Sequence, residues 1–332
     1  MTILIATPLY PPDIGGPAAY AKALREEWTK LGMTVRVVAY GRLERALPAG
    51  LRHLVYLVRM LVAVRGVRSI LALDTWSVGV PALVVTSLLR KRLVFRVGGD
   101  FLWESYVNRT GDLVHLSEFY ASPRALSYKE RLIRRTTGLL LRSADAIAFN
   151  TAWQLRLWRD AYQLSPEKVS VIQNFFPAIR EHTPATNMTF VAASRATAFK
   201  NHALLARVFE RVQREYSDAR LDMRALPPAE HRARIRDCYA VIIPSVSEVN
   251  SNTAIDAVAA GKPFLAPVDS GGYEVMKDLG LWVDTLDEQA FAEGVRALLD
   301  PVVYAALQER IRAFSYTHSW EAVGREFLAL LV

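Results

Sequence analysis

The chain has 332 residues, which at about 100–200 residues per domain is too long for one ordinary core and right for two. Its composition is 52% hydrophobic and 22% charged, with no low-complexity tract and no solenoid-length repeat, so disordered and repeat architectures are excluded. Net charge is +8 but unevenly carried: residues 1–180 hold 25 Lys and Arg against 13 acids, and residues 181–332 hold 16 against 20.

In chain order, the first apolar run, "TILIAT", has strand length and is followed by the loop "PLYPPDIGGP", a helical pattern "AAYAKALREEWTKLG" closing on Gly32, and a second strand, "TVRVVAY". Strand-length runs recur at "SILAL", "RLVFRV", "AIAFN" and "VSVI", between helical stretches. A second series runs through "MTFVAAS", "ALLARVFERVQREY", "LDMRAL", "AEHRARIRDCY", "AVIIP", "TAIDAVAAG" and "PFLAP". Alternation of this kind predicts α/β architecture with parallel sheets, here two Rossmann-like domains joined by the aperiodic, proline-containing stretch Asn174–Asn187. Open sheets of this type bind ligands at their carboxyl edges, so a cleft assembled from both domains is expected. The dinucleotide fingerprint G-x-G-x-x-G is missing after the first strand, where only Gly15 and Gly16 stand, which disfavours a nicotinamide or flavin enzyme.

The one cysteine, Cys238, lies in a helical pattern and excludes an intrachain disulfide or a thiolate metal cluster. His53, His115, His182, His202, His231 and His318 are scattered without metal-ligand spacing, so no metal site is expected. The start "MTILIATPLYPP" does not read as a signal peptide, and the longest apolar runs fall short of the ~18 residues of a membrane span, so a cytoplasmic location is expected. The basic half suits an anionic partner. "LRHLVYLVRMLVAVRGVRS", with Arg52 and Arg59, and "YKERLIRRTTGLLLRS", with Lys129, Arg131, Arg134, Arg135 and Arg142, read as basic amphipathic helices that could lie on lipid headgroups, or equally as inward-packed helices with solvated arginines. No helix-turn-helix, RNP or zinc-finger signature accompanies the charge, so nucleic acid is not expected.

The stretch "PSVSEVNSNTAIDAVAAGKPFLAP" carries Glu248 in a loop and Asp256 about one turn into a helix that starts near Ser251 or Asn252. The free amides of such a helix start attract phosphate. Two carboxylates with seven residues between them can each accept hydrogen bonds from vicinal hydroxyls, as on a sugar and a ribose.

Glu248-x7-Asp256, followed by "AVAAGKP", resembles the E-x7-E motif of the family-4 retaining glycosyltransferases of GT-B fold. The likeness continues in "ASRATAFKNHALL", similar to that family's Arg and Lys diphosphate clamp and giving Arg195 and Lys200, in "SVIQNFFP" at Asn174, in the Gly15–Gly16 loop, and in the closing helix "FSYTHSWEAVGREFLALL". The resemblance implies an acceptor-side domain over 1–175, a donor domain over 188–312, and a terminal helix, 313–332, packing back on the first. It implies a retaining, metal-independent transferase that uses a nucleotide-diphosphate sugar as co-substrate, needs no cofactor and acts on a lipid-linked or polysaccharide acceptor; a peripheral seat on an anionic membrane surface is the reading of the basic helices above, not of the resemblance. The leaving phosphate itself would help deprotonate the acceptor.

By the same resemblance, Arg195 and Lys200 neutralise the diphosphate, and Asn250, Ser251, Asn252 and Thr253 cradle phosphate and sugar oxygens. Glu248 holds the sugar, Asp256 the ribose, and Gly15 and Gly16 let backbone approach the reacting centre. Asp100 with Trp103, Glu104 and Tyr106 would face donor or acceptor, although by residue type core packing is the commoner role for such aromatics and capping a loop an equal one for Asp100. Three features depart from the family pattern: Asp256 replaces the second Glu, "VNSN" replaces a glycine-rich turn, and Gly98 stands where many members have His. The second domain also looks one βα unit short. An epimerase on the same fold, or a nucleotide-sugar-binding protein without catalysis, is the alternative.

Overall fold

The computed structural model describes residues 1–13, 15–179, 184–185, 187–192 and 197–332. They form two compact units. The first comprises Met1–Leu102, Leu126–Phe175 and His318–Val332, and the second comprises Trp103–Ala125 and Phe176–Thr317. Residues Trp103–Ala125, placed with the N-terminal domain by chain order, thus belong to the second unit.

The first half of the chain runs β1 (Thr2–Thr7), α1 (Gly16–Lys30), β2 (Thr34–Ala39), α2 (Arg42–Ala46), α3 (Ala49–Ala63), β3 (Ser69–Ala72), α4 (Gly79–Leu89), β4 (Arg92–Val97), α5 (Phe101–Thr110), α6 (Leu116–Ala121), α7 (Tyr128–Ser143), β5 (Ala146–Phe149), α8 (Ala152–Tyr162) and β6 (Val169–Val171). The rest runs β7 (Thr189–Val191), α9 (His202–Glu215), β8 (Arg220–Asp222), α10 (Pro228–Asp237), β9 (Ala240–Ile242), α11 (Asn252–Ala259), β10 (Phe264–Pro267), α12 (Tyr273–Met276), β11 (Leu281–Val283), α13 (Glu288–Leu299), α14 (Pro301–Ala313) and α15 (Trp320–Leu331).

The first unit is a six-stranded parallel sheet ordered β2-β1-β3-β4-β5-β6, in which Ile5 pairs with Val37 on one side and Leu71 on the other. Its inner strands are buried on both faces, which is why "ILIA", "SILA" and "AIAF" read as continuous apolar runs, whereas the edge strands β2 and β6 are partly exposed. Right-handed crossovers place α3, α4 and α7 on one face and α1 on the other. The helix α1 turns Tyr20, Ala21, Leu24 and Trp28 inward at helical spacing. Alongside it lies α15, the returning terminal helix, with Val323, Phe327 and Leu331 fully buried. Trp28 Nε1 donates to the Gly324 carbonyl at 2.9 Å, and Trp320 stacks on Phe175 at 5.3 Å.

The second unit is a five-stranded parallel sheet ordered β11-β10-β9-β7-β8, with Phe190 paired between Leu221 and Ala240. On α9, Leu204, Leu205, Val208, Phe209 and Val212 follow one stripe onto the sheet beside Phe291, Val295 and Leu298 of α13. The opposite face is covered by Ala254, Ala257 and Val258 of α11 with Ile235 of α10 and Ile311 of α14.

Phe327→Ala removes a fully buried ring from the α1–α15 seam and is expected to cost about 3–5 kcal/mol. A fall in the urea midpoint with Val332→Ala unchanged, Val332 being exposed, is the expected result.

Candidate functional site

Strand order reverses in the second sheet between β7 and β9, which lie side by side although β8 intervenes in sequence. The loops leaving the carboxyl ends of two such strands diverge, and the crevice they open is where α/β sheets take ligands. Here those loops carry Lys200 and Glu248. Lys200 ends a short 3-10 turn, Ala198–Lys200, and Asn201 then adopts a left-handed conformation, φ 48°, before α9 begins. Glu248 follows β9 through "IPSVS".

The two loops are clipped together. Val246 N donates to the Phe199 carbonyl at 2.8 Å, and Lys200 Nζ meets Glu248 Oε1 at 2.5 Å. Ser245 Oγ donates to that same carboxylate oxygen at 2.6 Å. Behind them, Thr285 Oγ1 donates to the Ser245 carbonyl at 2.9 Å and Asn201 Nδ2 to the Thr285 carbonyl at 3.0 Å. Glu248 is also tied by its backbone to the loop after β10, accepting from Gly271 N and donating to the Asp269 carbonyl. Its carboxylate is therefore aimed by covalent and hydrogen-bonded constraints on both sides. Both members of the pair are about five-sixths buried, so the Coulombic attraction acts in a reduced dielectric, while an ammonium with three donors keeps capacity for a further acceptor. The field of Lys200 reaches His202, whose pKa is lowered by burial first and by that charge second.

The helix α11 begins as expected: Ser251 is the N-cap and its Oγ accepts from Ala254 N. Asn252 and Thr253 occupy its first turn, whose amides have no partner within a helix, and Asn250 precedes it. Asp256 lies one turn further on. Burial pushes its carboxyl up to about 6, opposed by Arg232 of α10, and among the described residues its carboxylate receives no hydrogen bond. The structure thus joins Lys200 to Glu248 and leaves Asp256 separate from that pair.

Arg195 lies outside the described residues. Gly15, Gly16 and Asp100 belong to the first unit. Gly15 caps α1 at φ 155°, where a Cβ would also press on Leu9 at 3.0 Å, so this position needs glycine. Asp100 is buried and accepts from Trp158 Nε1 at 2.8 Å, which fastens the Gly98–Gly99 turn to α8. A Cβ at Gly98 would stand 2.4 Å from an Arg96 Nη atom, so the Arg96 guanidinium fills the space beside that glycine. Arg96 itself lies over the Tyr20 ring at 3.8 Å and donates to Asn174 Oδ1 at 2.9 Å.

Trp103 and Tyr106 take the core-packing alternative. Trp103 is 3% exposed, with its ring against Phe199 at 5.2 Å and its Nε1 donating to the Val114 carbonyl. Tyr106 is buried too, and its hydroxyl donates to Asp112 at 2.8 Å. Neither offers a ring face to a ligand, and Glu104 lies half-buried beside them. Their segment instead braces the Lys200 and Glu248 loops. Asn108 accepts from Ala198 N, Leu116 N donates to Ser247 Oγ, and His115 lies 3.0 Å from the Val246 carbonyl and 2.9 Å from Asp284 Oδ1.

Sequence reading missed Arg96, Ser245, Thr285 and His115. Ser245 carried a signal, standing three residues before Glu248 in a strand-end loop; the others act across 40 or more residues of sequence and had none.

No protein-family model and no curated protein matches the chain. Solved structures do. The Anabaena protein Alr3699/HepE, in complex with UDP and glucose, aligns with TM-score 0.70 and 15% identity over 99% of this chain and 98% of that one. Sucrose-phosphate synthase from Thermosynechococcus elongatus aligns with TM-score 0.70 and 17% identity over 99% and 98%. WaaG, a glycosyltransferase involved in lipopolysaccharide biosynthesis, aligns with TM-score 0.68 and 12% identity over 99% of each chain. The fold is therefore the two-sheet GT-B fold of glycosyltransferases.

Asp256→Asn is expected to stabilise the protein at neutral pH. The raised carboxyl contributes stability while protonated, fully below about pH 4, and loses it as pH rises through about 6. The variant's gain in urea denaturation should approach about 3 kcal/mol at pH 7.5 and nearly vanish by pH 4.

Proposed function

We propose that the protein transfers a sugar, with retention, from a nucleotide-diphosphate donor to a hydroxyl of a lipid-linked or polysaccharide acceptor. The observation that carries this reading is the Lys200–Glu248 pair held across the switch point of the second sheet, a cation for phosphate next to a fixed acceptor for sugar hydroxyls. The complexes of HepE with UDP and with UDP-glucose, on the same fold, add support.

In this reading Lys200, with Arg195, neutralises the diphosphate as negative charge grows on the leaving group. Glu248, fixed by Ser245 and by its backbone ties, accepts hydrogen bonds from sugar hydroxyls; its orientation costs nothing on binding because the fold has already set it. The amides around Asn250, Ser251, Asn252 and Thr253 receive phosphate or sugar oxygens at the start of α11. Asp256, desolvated and without a donor of its own, is suited to a pair of ribose hydroxyls, whose hydrogen bonds favour the ionised form. At the carboxyl edge of the first sheet, Gly15 and Gly16 admit close approach of backbone to a ligand. Arg96 supplies N–H donors next to Gly98, and Asp100 holds that turn through Trp158. No side chain here is assigned as a nucleophile, so a front-face displacement, in which the departing phosphate takes the acceptor proton, balances the reaction.

A thermal-shift panel of UDP, GDP, ADP and their sugars tests the reading, because a ligand at about 100 times its Kd stabilises by roughly 2.7 kcal/mol. One base is expected to stand out. Lys200→Ala should weaken that nucleotide at least about tenfold, whereas Glu248→Gln should weaken the nucleotide sugar but not the free nucleotide. Failure of every nucleotide to bind overturns the proposal; binding with sugar released to water but never to a glycan or lipid acceptor overturns the transferase part.

A further inference from the structure

The first unit carries an apolar face that its own fold leaves uncovered. On α3, Leu54, Val58 and Val62 repeat at helical spacing and are 56%, 54% and 70% exposed, opposite the stripe of Tyr56, Met60 and Val64 that packs inward. Next to α3 lies α4, with Val84 and Leu88 exposed one turn apart, and next to α4 lies α7, with Leu132 and Leu139 exposed two turns apart. Single exposed leucines are ordinary, but stripes on three neighbouring helices of one sheet face are not.

The charge on the same face decides what would cover it. The spans 49–68, 79–91 and 128–143, which hold these helices and the turns ending α3 and α4, contain eleven Lys and Arg and a single acid, Glu130, and of these cations Arg59 is paired with Glu44 of α2. That acid is buried and consumed in the capping box of α7, where it accepts from Ser127 N. Arg65, Arg90, Arg131, Arg134 and Arg135 are all exposed. A second protein copy would bring the same cations against themselves, and a nucleic acid would have no use for the leucines. No helix among the described residues is long and apolar enough to cross a membrane.

We infer that the α3–α4–α7 face is a peripheral membrane-docking surface for an anionic lipid bilayer, its leucines and valines entering the headgroup boundary while the surrounding arginines meet lipid phosphates. Neither contribution alone gives stable attachment; a short apolar stripe and a polybasic rim together do. The inference is independent of the catalytic reading, since none of these residues belongs to the Lys200–Glu248 site.

Co-sedimentation of the full chain with vesicles of phosphatidylcholine alone, and of phosphatidylcholine mixed with phosphatidylglycerol, tests it. Binding to the anionic vesicles and not to the neutral ones is expected. R65Q/R134Q/R135Q should weaken it on the order of a hundredfold, at about fivefold per cation. L54S/L88S/L139S should weaken it roughly tenfold or more, and V302S, an exposed valine of the second unit, should not change it. Thermal unfolding of each variant confirms that these exposed substitutions leave the fold intact. Three results would overturn the inference: no binding to anionic vesicles, loss through the arginines alone with the serine variant unaffected, which would mark a general polyanion surface, or a dimer in light scattering that L54S/L88S/L139S converts to monomer.

Discussion

An ammonium and a carboxylate 48 residues apart in sequence, Lys200 and Glu248, are held 2.5 Å apart and largely out of water, and the loops of the second unit are arranged around that pair. A partly buried ion pair is weak evidence for stability, because desolvation of both ions offsets most of their attraction; loss of one partner is what costs, since it strands the other. The pair is therefore better understood as a constraint than as a source of stability. Keeping both charges in place engages the ends of four strands. Val246 ties the β9 loop to the β7 loop, Gly271 ties the β10 loop to Glu248, and Thr285, beyond β11, ties Ser245 and Asn201 together. A polar cluster of this kind has few alternative arrangements, so the fold itself sets the shape of the candidate site.

Each unit is completed by chain from the opposite half of the sequence. Trp103–Ala125 supplies α6 and most of α5 to the second unit, and His318–Val332 supplies α15 to the first. The indole of Trp103 against Phe199, next to Lys200, and His115 between the Val246 carbonyl and Asp284 show that the first insertion is packed and hydrogen-bonded, not merely adjacent. The second is fastened by Trp28, and by Ser69 and Arg92, which donate to carbonyls at the end of α15. No single cut in the stretch between the two halves would release two complete units.

Charge is used differently in the two units. In the second, exposed arginines are paired with acids: Arg207 and Arg211 with Glu288, and Arg296 with Glu215. Such surface pairs contribute under about 1 kcal/mol each, so their main effect is to cancel the field. On the α3–α4–α7 face the one acid is spent on a helix cap, Arg59 is paired with Glu44 of α2, the exposed Arg65, Arg90, Arg131, Arg134 and Arg135 have no acid on these helices to cancel them, and apolar side chains share the surface. That combination directs attention to a partner that is both anionic and apolar.

The strands, most helices and the loop position of Glu248 in the candidate site were readable because their signals are local. "TILIAT" and "AIAF" are buried on both faces and so uninterrupted, α9 repeats its apolar residues every three or four positions, and Glu248 stands just before a Ser-capped helix. The terminal helix was legible by its resemblance to a known pattern, and Lys200 by its spacing from Arg195 within one. What sequence could not indicate is where a side chain spends its far end. Trp103 and Tyr106 look like a sugar platform in one dimension and are interior anchors in three, because the faces that would have met a ligand are taken by Phe199 and Phe119. Likewise, the approach of Arg96 to Gly98 and the adjacency of α3, α4 and α7 depend on rotamers and strand order. Periodicity along the chain determines which residues turn inward; strand order and crossover handedness, which are set only when distant segments pair, decide which of them meet.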